Sequence, residues 1–382
     1  MDENDSAENA IDYNKLKPWN SRDCTVIVNS IRYNQDFSLL TLGTSKGYKV
    51  FLTSTLRQAH EPTAAVLNLG DINIAMTYCK SSLVFLLPSR YNKQYEFNEI
   101  IVFDDFYQTK FASFKEKTEE ILNFFISNNL IYLITLSKIL VLEILSFKII
   151  DIINNINSIE PLLSFNFCDF IAYTELGDKK KIFIKYYQNN NHKISSLIKK
   201  TINSKFEYMQ TFQLSPDGNL IAVASIFGNK LHLYYTQTGK LKECIFLGQY
   251  IQTIEKLLFS EKSNYLLSLK NDNTFNIYKI NKEQQDNSIC ICEKYSDNNI
   301  TVQNNNDKNV GIMGYFRKLS KNKDIKDPHA FAEFEGNKIF LDFDRTQNKE
   351  IILIKENGKF IKYRFKKTAT GSINPYISFQ WE

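Results

Sequence analysis

Glycine and proline are both scarce in this chain, 13 and 7 among 382 residues. That scarcity excludes collagen-like and Gly/Pro-rich low-complexity architectures, and it leaves Asn and Asp to carry many of the turns. Histidine is rarer still. His60, His192, His232 and His329 stand isolated, with no nucleophile pattern beside them, so no catalytic constellation emerges. Six cysteines, Cys24, Cys79, Cys168, Cys244, Cys290 and Cys292, follow neither disulfide-framework nor zinc spacing. A long apolar run is missing too. Residues 130–145 are interrupted by Ser137, Lys138 and Glu143 and fall short of the ~20 residues a spanning helix needs. The N-terminus is acidic (Asp2, Glu3, Asp5, Glu8) and lacks a basic-then-apolar leader pattern. No glycine-rich phosphate loop follows a strand and opens a helix. These absences point to a cytoplasmic protein that is not an enzyme, with no cofactor and no metal, whose membrane contact is peripheral at most.

What is present favours strands. Aromatics make up 14% of the residues and apolar residues 43%, ample for a core built from Phe, Tyr and Ile. Short alternating runs recur between turn residues, and almost nothing reads as a long amphipathic helix. The clearest unit spans residues 209–236. It holds a strand, a Ser215-Pro216-Asp217-Gly218 turn, a second strand, then Gly228-Asn229 and a third strand alternating through Leu231, Leu233 and Tyr235. A copy follows at 257–278, and the interval from Tyr234 to Tyr278 fits the ~40–45 residues of a propeller blade. An earlier copy runs from Val28 through Asn34-Gln35-Asp36 and Gly43-Thr44-Ser45-Lys46-Gly47 to Phe51. Weaker units cover 64–106, 109–145, 147–187 and 329–366. The count predicts an all-β, seven-bladed WD-repeat β-propeller over residues 21–366, with a flexible segment 1–20, a long blade-six insertion at 281–328 and a tail at 367–382. That tail either adds a strand or hangs free. The net charge of +5 permits contact with an anionic surface without announcing one. Lys179–Lys181 and Lys199-Lys200 read as solvated loop tips.

The Asn34–Asp36 turn with residues 43–51, the Ser215–Gly218 blade, its blade-six repeat and the long insertion, taken in this order, resemble the PROPPIN family of WIPI-type propellers. In that family, pockets on the rim of blades five and six take phosphatidylinositol 3-phosphate or the 3,5-bisphosphate, one arginine of a Phe-Arg-Arg-Gly tetrad serving each. Aligned without gaps, Ile245 falls at the Phe, Phe246 and Leu247 at the two arginines, and Gly248 at the Gly. Phosphate recognition relies on forked, charge-assisted hydrogen bonds that neither Phe246 nor Leu247 can make. The resemblance therefore implies a lipid reader whose affinity is weakened. Candidate replacements are Ser225, Lys230 and His232 beside the first pocket, Gln249, Thr253 and Lys256 after the tetrad, and Lys270 beside the second. The competing reading of all seven is ordinary solvent-facing strand residues. Phe246 and Leu247 divide likewise between docking and packing on a neighbouring blade.

Within the insertion, Ile312, Tyr315, Phe316 and Leu319 fall at i, i+3, i+4 and i+7, with Arg317 and Lys318 among them. That is the pattern of an interfacial helix. The alternatives are a helix packed on the propeller or a segment that folds on a protein partner. The resemblance implies a monomeric, non-catalytic adaptor in autophagosome formation or endosomal and vacuolar traffic. It would join phosphoinositide-marked pre-autophagosomal, endosomal or vacuolar membrane to autophagy proteins, namely a lipid-transfer protein and the conjugation machinery, without binding nucleic acid. The alternative is a WD-repeat protein-interaction scaffold that no longer binds phosphoinositides specifically.

Overall fold

A computed structural model of the chain describes residues 26–54, 57–59, 63–144, 146–156, 162–190, 193–247, 253–280, 330–333, 338–344, 350–355, 359–365 and 375–380. They form seven antiparallel sheets, each built from consecutive strands. This is a seven-bladed β-propeller. Blade one contains Val28–Tyr33, Leu39–Thr44 and Gly47–Leu52. Blade two contains Ile72–Thr77, Leu83–Pro88, Glu99–Asp104 and Thr109–Lys115, and blade three Ile121–Ile126, Leu130–Thr135, Lys138–Glu143 and Ile149–Asn154. Blade four follows with Leu163–Phe165, Phe170–Glu175, Asp178–Asn190 and Lys193–Asn203, and blade five with Met209–Leu214, Leu220–Ser225, Lys230–Tyr235 and Leu241–Phe246. Ile254–Phe259, Tyr265–Lys270, Thr274–Lys279 and Ala330–Glu333 make blade six; Lys338–Phe343, Glu350–Lys355, Lys359–Arg364 and Pro375–Gln380 make blade seven.

Burial grades from the inside of each blade outward. Leu130–Thr135 and Leu220–Ser225 are buried at every position, because both faces of a middle strand are covered by neighbouring blades. Outer strands are half wet, and in Thr109–Lys115 no residue is fully buried. This gradient moves three expected boundaries. Thr109–Lys115 pairs with Glu99–Asp104 and closes blade two instead of opening blade three. Ile149–Asn154 likewise completes blade three, and Ala330–Glu333 pairs with Thr274–Lys279 as the outer strand of blade six. Blade seven instead begins with Lys338–Phe343, a strand the sequence reading passed over. The segment set aside as a tail supplies Pro375–Gln380, which pairs with Lys359–Arg364, so the propeller runs past residue 366. Lys179–Lys181 and Lys199-Lys200 sit within paired strands of blade four and are not loop tips.

The ring closes by packing. Ile31, Tyr33, Leu40, Leu42 and Phe51 of blade one share a core with Phe340, Ile352 and Ile354 of blade seven, and the Tyr33 hydroxyl donates to the Phe343 carbonyl at 3.2 Å. Burying each such side chain contributes about 1.5–3 kcal/mol. Turns repeat from blade to blade. At Ser215–Gly218, the Gly218 N–H donates to the Ser215 carbonyl at 2.9 Å and the Ser215 hydroxyl accepts from Leu220 N at 2.9 Å. Gly218 has φ +73, and an added Cβ would lie 2.8 Å from the Phe170 ring. Blade six builds the same turn at Ser260–Ser263, with Ser263 at φ +54 and the Ser260 hydroxyl accepting from Tyr265 N at 3.1 Å.

Candidate functional site

The third and fourth strands of blade five pair Lys230 with Phe246, Leu231 with Ile245 and His232 with Cys244. Side chains alternate between the two faces of a strand, and the packing fixes which face is which. Leu231, Leu233 and the fully buried Ile245 join the core between blades five and six, with Leu247 packed against it. Tyr234 joins the core between blades four and five. Phe246 and Leu247 therefore serve opposite faces of blade five.

The face toward blade four carries Lys230, His232 and Phe246. His232 is no cation. It is buried at 4% exposure, lies flat on Phe206, and its Nδ1 is within hydrogen-bond distance of Tyr234 Oη at 3.1 Å. Burial pulls its pKa down to about 3, and the charges of Lys205 and Lys230 push the same way. Both lysines thus act on one buried imidazole. Lys205 is exposed, its backbone N–H donates to Tyr234 Oη at 3.1 Å, and the sequence reading missed it. Its only signal is a position in the turn leading into the inner strand of blade five. The Ser225 hydroxyl donates to Asn229 Oδ1 at 2.9 Å and accepts from Lys230 N at 3.3 Å. It shapes the loop and is not turned to a ligand.

On the face toward blade six, Lys270 is opposite Ile254 in register. Leu266 on the same strand belongs to the blade-five/six core, while Leu267 and Leu269 face blade seven, so alternation puts Lys270 on the blade-five side. Burial alone would raise the Asp272 carboxyl; hydrogen bonds from Thr274, and after them the Lys270 charge, hold it below its usual range. Thr253 is exposed at the entrance of the inner strand, its carbonyl accepting from Asn271 N at 3.0 Å. Lys256 is misassigned by the sequence reading. Its Nζ donates to the Leu341 carbonyl at 3.4 Å and lies 5.8 Å from the Phe340 ring centroid, and it lines the central channel. It belongs to the axis of the ring, away from the rim. Lys230 and Lys270 accordingly do not converge: Lys230 is on the face of blade five toward blade four, and Lys270 on the face of blade six toward blade five. Gly248, Gln249 and the insertion residues Ile312, Tyr315, Phe316, Arg317, Lys318 and Leu319 lie outside the described residues.

Among the described residues no three His, Cys, Asp or Glu side chains gather as metal ligands, and no helix is long and apolar enough to cross a membrane. Fold and rim together define a propeller whose blade-five edge has Lys230 and Phe246 on one face and Leu247 on the other. No protein-family model matches the chain. Among solved structures, it is similar to Kluyveromyces lactis Hsv2 with its loop 6CD complete, with a TM-score of 0.71 at 11% identity over 94% of this chain and 100% of that one. It is similar as well to KlAtg21 in its complex with the coiled-coil of AgAtg16, with a TM-score of 0.66 at 13% identity over 93% of this chain and 100% of that one. Hsv2 and Atg21 are PROPPIN β-propellers, and at these identities the likeness is one of fold. The 281–329 segment falls between the third and fourth strands of blade six.

Proposed function

We propose that this protein is a non-catalytic adaptor of PROPPIN type, peripherally associated with phosphoinositide-bearing membrane in autophagy or endosomal traffic, whose residual recognition of lipid phosphate is confined to the blade-four/five face. One observation carries this reading: Lys205 and Lys230 both act on His232, so that face carries positive charge beside Phe246, where the resemblance puts one family arginine. Lysine holds phosphate as a point charge without the directional fork of arginine. The expected affinity is accordingly low and poorly selective among phosphoinositides. On the other face Lys270 has the Asp272 carboxylate within electrostatic reach.

A second reading, a protein-interaction scaffold without specific lipid binding, draws support from blade two. There Phe106, Tyr107 and Phe111 are 77%, 72% and 58% exposed, an apolar group suited to a helical partner such as the coiled-coil found with KlAtg21. Flotation of the full chain with vesicles containing or lacking 3-phosphorylated phosphatidylinositol decides between the two. Lipid-dependent flotation that disappears in Lys205→Gln/Lys230→Gln upholds the first reading. Equal flotation with both vesicle types removes it and leaves the scaffold.

A further inference from the structure

The axis of the ring contains a cavity of about 680 Å³ to which all seven inner strands contribute, within the roughly 300–1,000 Å³ of small-molecule sites. Aromatic rings dominate part of its wall: Phe37, Phe125, Phe165, Phe167 and Phe259. Into it reaches Arg32, from the innermost strand of blade one. Its Nη2 passes blade two and donates to Asn123 Oδ1 of blade three at 3.2 Å, while Nε is buried without a hydrogen-bond partner. The channel gives the side chain some accessible surface, yet protein surrounds the guanidinium deeply enough that desolvation lowers its pKa. Among the described residues no carboxylate is near enough to offset it.

A desolvated cation without a counter-charge is a standing cost to the fold unless something anionic completes it. The other charged groups of the cavity do not. Lys256 is a second cation, already turned toward the Leu341 carbonyl and the Phe340 ring. Asp342 is held at the blade-seven wall, where its carboxylate accepts from Phe343 N at 2.7 Å. The geometry points to a binding site for a small organic oxyanion in the central channel: a phosphate or carboxylate head against the part of the Arg32 side chain that lines the cavity, with its apolar body against the phenylalanine wall. Guanidinium suits this role because its N–H groups form a fork that matches two oxygens of such a head. The Asn123 amide N–H₂ adds a neutral donor beside it. Asp342 disfavours bulky or multiply charged anions, which would have to approach its carboxylate.

The site is independent of the rim, and its test uses the full chain. Calorimetric titration in low-chloride buffer compares phenyl phosphate and benzoate with inorganic phosphate. Phenyl phosphate should bind once per chain, about tenfold or more tighter than inorganic phosphate, because only the former uses the aromatic wall. Arg32→Gln should weaken it at least tenfold with no fall in thermal midpoint, since the substitution removes an uncompensated charge; a purely structural arginine would lower the midpoint instead. A short-chain monoacylglycerol phosphate provides a further arm. Tighter binding than phenyl phosphate assigns a lipid source, and weaker binding assigns a soluble one. Independently of any variant, the Arg32 Nε–H resonance of the wild-type protein should shift on titration. Absence of anion binding, unchanged affinity in Arg32→Gln, or binding that leaves that resonance in place would each overturn the proposal.

Discussion

His232 lies flat against Phe206, the ring centroids 4.0 Å apart and the planes within 14° of parallel. This stack places an imidazole where two lysines and a wall of protein oppose its protonation, at a pKa of about 3. The unfolded chain titrates the same group near the ordinary imidazole value of roughly 6.5. Between those values the unfolded state binds the extra proton, so stability is full above about pH 6.5 and falls as pH drops toward 3. The slope approaches ~1.4 kcal/mol per pH unit. Urea unfolding of wild type against His232→Phe at pH 7 and pH 5 measures it. The wild type should lose about 2 kcal/mol more than the variant over that interval. Parallel curves would mean that the imidazole is solvated.

On the proposed function, added charge at the rim should strengthen lipid recognition. Phe246 is opposite Lys230, and Phe246→Arg adds a forked donor beside the two lysines already there. A charge-assisted hydrogen bond contributes on the order of 1.5–3 kcal/mol, or about tenfold or more in vesicle affinity. Leu247→Arg should help less, since Leu247 packs on the blade-five/six core and its loss costs about 1–2 kcal/mol of stability. Flotation with 3-phosphorylated lipid, run beside a thermal scan, checks both. No gain from Phe246→Arg would show that this face cannot seat a headgroup.

Strand content and blade count were legible because middle strands are covered on both faces and read as unbroken apolar runs, as in Leu130–Thr135. Boundaries were not, because an outer strand such as Thr109–Lys115 is amphipathic at best and carries no mark of the inner partner it pairs with. Lys338–Phe343 was missed although Gly336-Asn337 directly precedes it in the sequence, because Ala330–Glu333 was taken as the opening strand of blade seven. At the rim, the apolar character of Phe246 and Leu247 could be read from the sequence alone. The neutrality of His232 could not, since it depends on Phe206 and Lys205, which precede it by a whole hairpin. Lys256 failed for a geometric reason: a position shortly after the rim loop is already on the inner strand, with its side chain at the axis.

Two equivalent turns predict opposite tolerance to substitution. In blade five, Gly218 sits at φ +73 with the Phe170 ring 2.8 Å from an added Cβ, and Phe170 is itself stacked on Tyr186 at 4.5 Å and so cannot swing aside. Gly218→Ala should cost about 1–3 kcal/mol. Blade six already holds Ser263 at φ +54 in that place. Ser263→Gly should stay within about 0.5 kcal/mol of wild type, relief of backbone strain offsetting added chain entropy. Chemical denaturation midpoints distinguish the two. A harmless Gly218→Ala would mean that the turn relaxes more freely than this packing allows.

Asp151 ties blade three to blade four. It stands on the outer strand of blade three and accepts from Lys185 Nζ at 2.7 Å and from the Tyr187 hydroxyl at 2.8 Å, both on the third strand of blade four. Burial alone would raise its pKa; the hydrogen bonds from Lys185 and Tyr187 and the Lys185 charge more than reverse this, and the carboxyl titrates below its ordinary range. With the folded pKa below the unfolded one, the clamp stabilises fully above roughly pH 4 and is lost as pH falls through the folded value. Asp151→Asn removes the charge and keeps the shape. At neutral pH it should cost about 1–2 kcal/mol, since partial solvent access screens the pair. The gap to wild type should then narrow as pH drops below 4, because the protonated carboxyl of the wild type comes to resemble the amide. Guanidinium is unsuitable here, since its ionic strength masks the pair; urea melts at pH 7, 4 and 2.5 give the answer. A gap that stays constant into acid would assign the effect to packing and remove the ionic account of how these two blades are held.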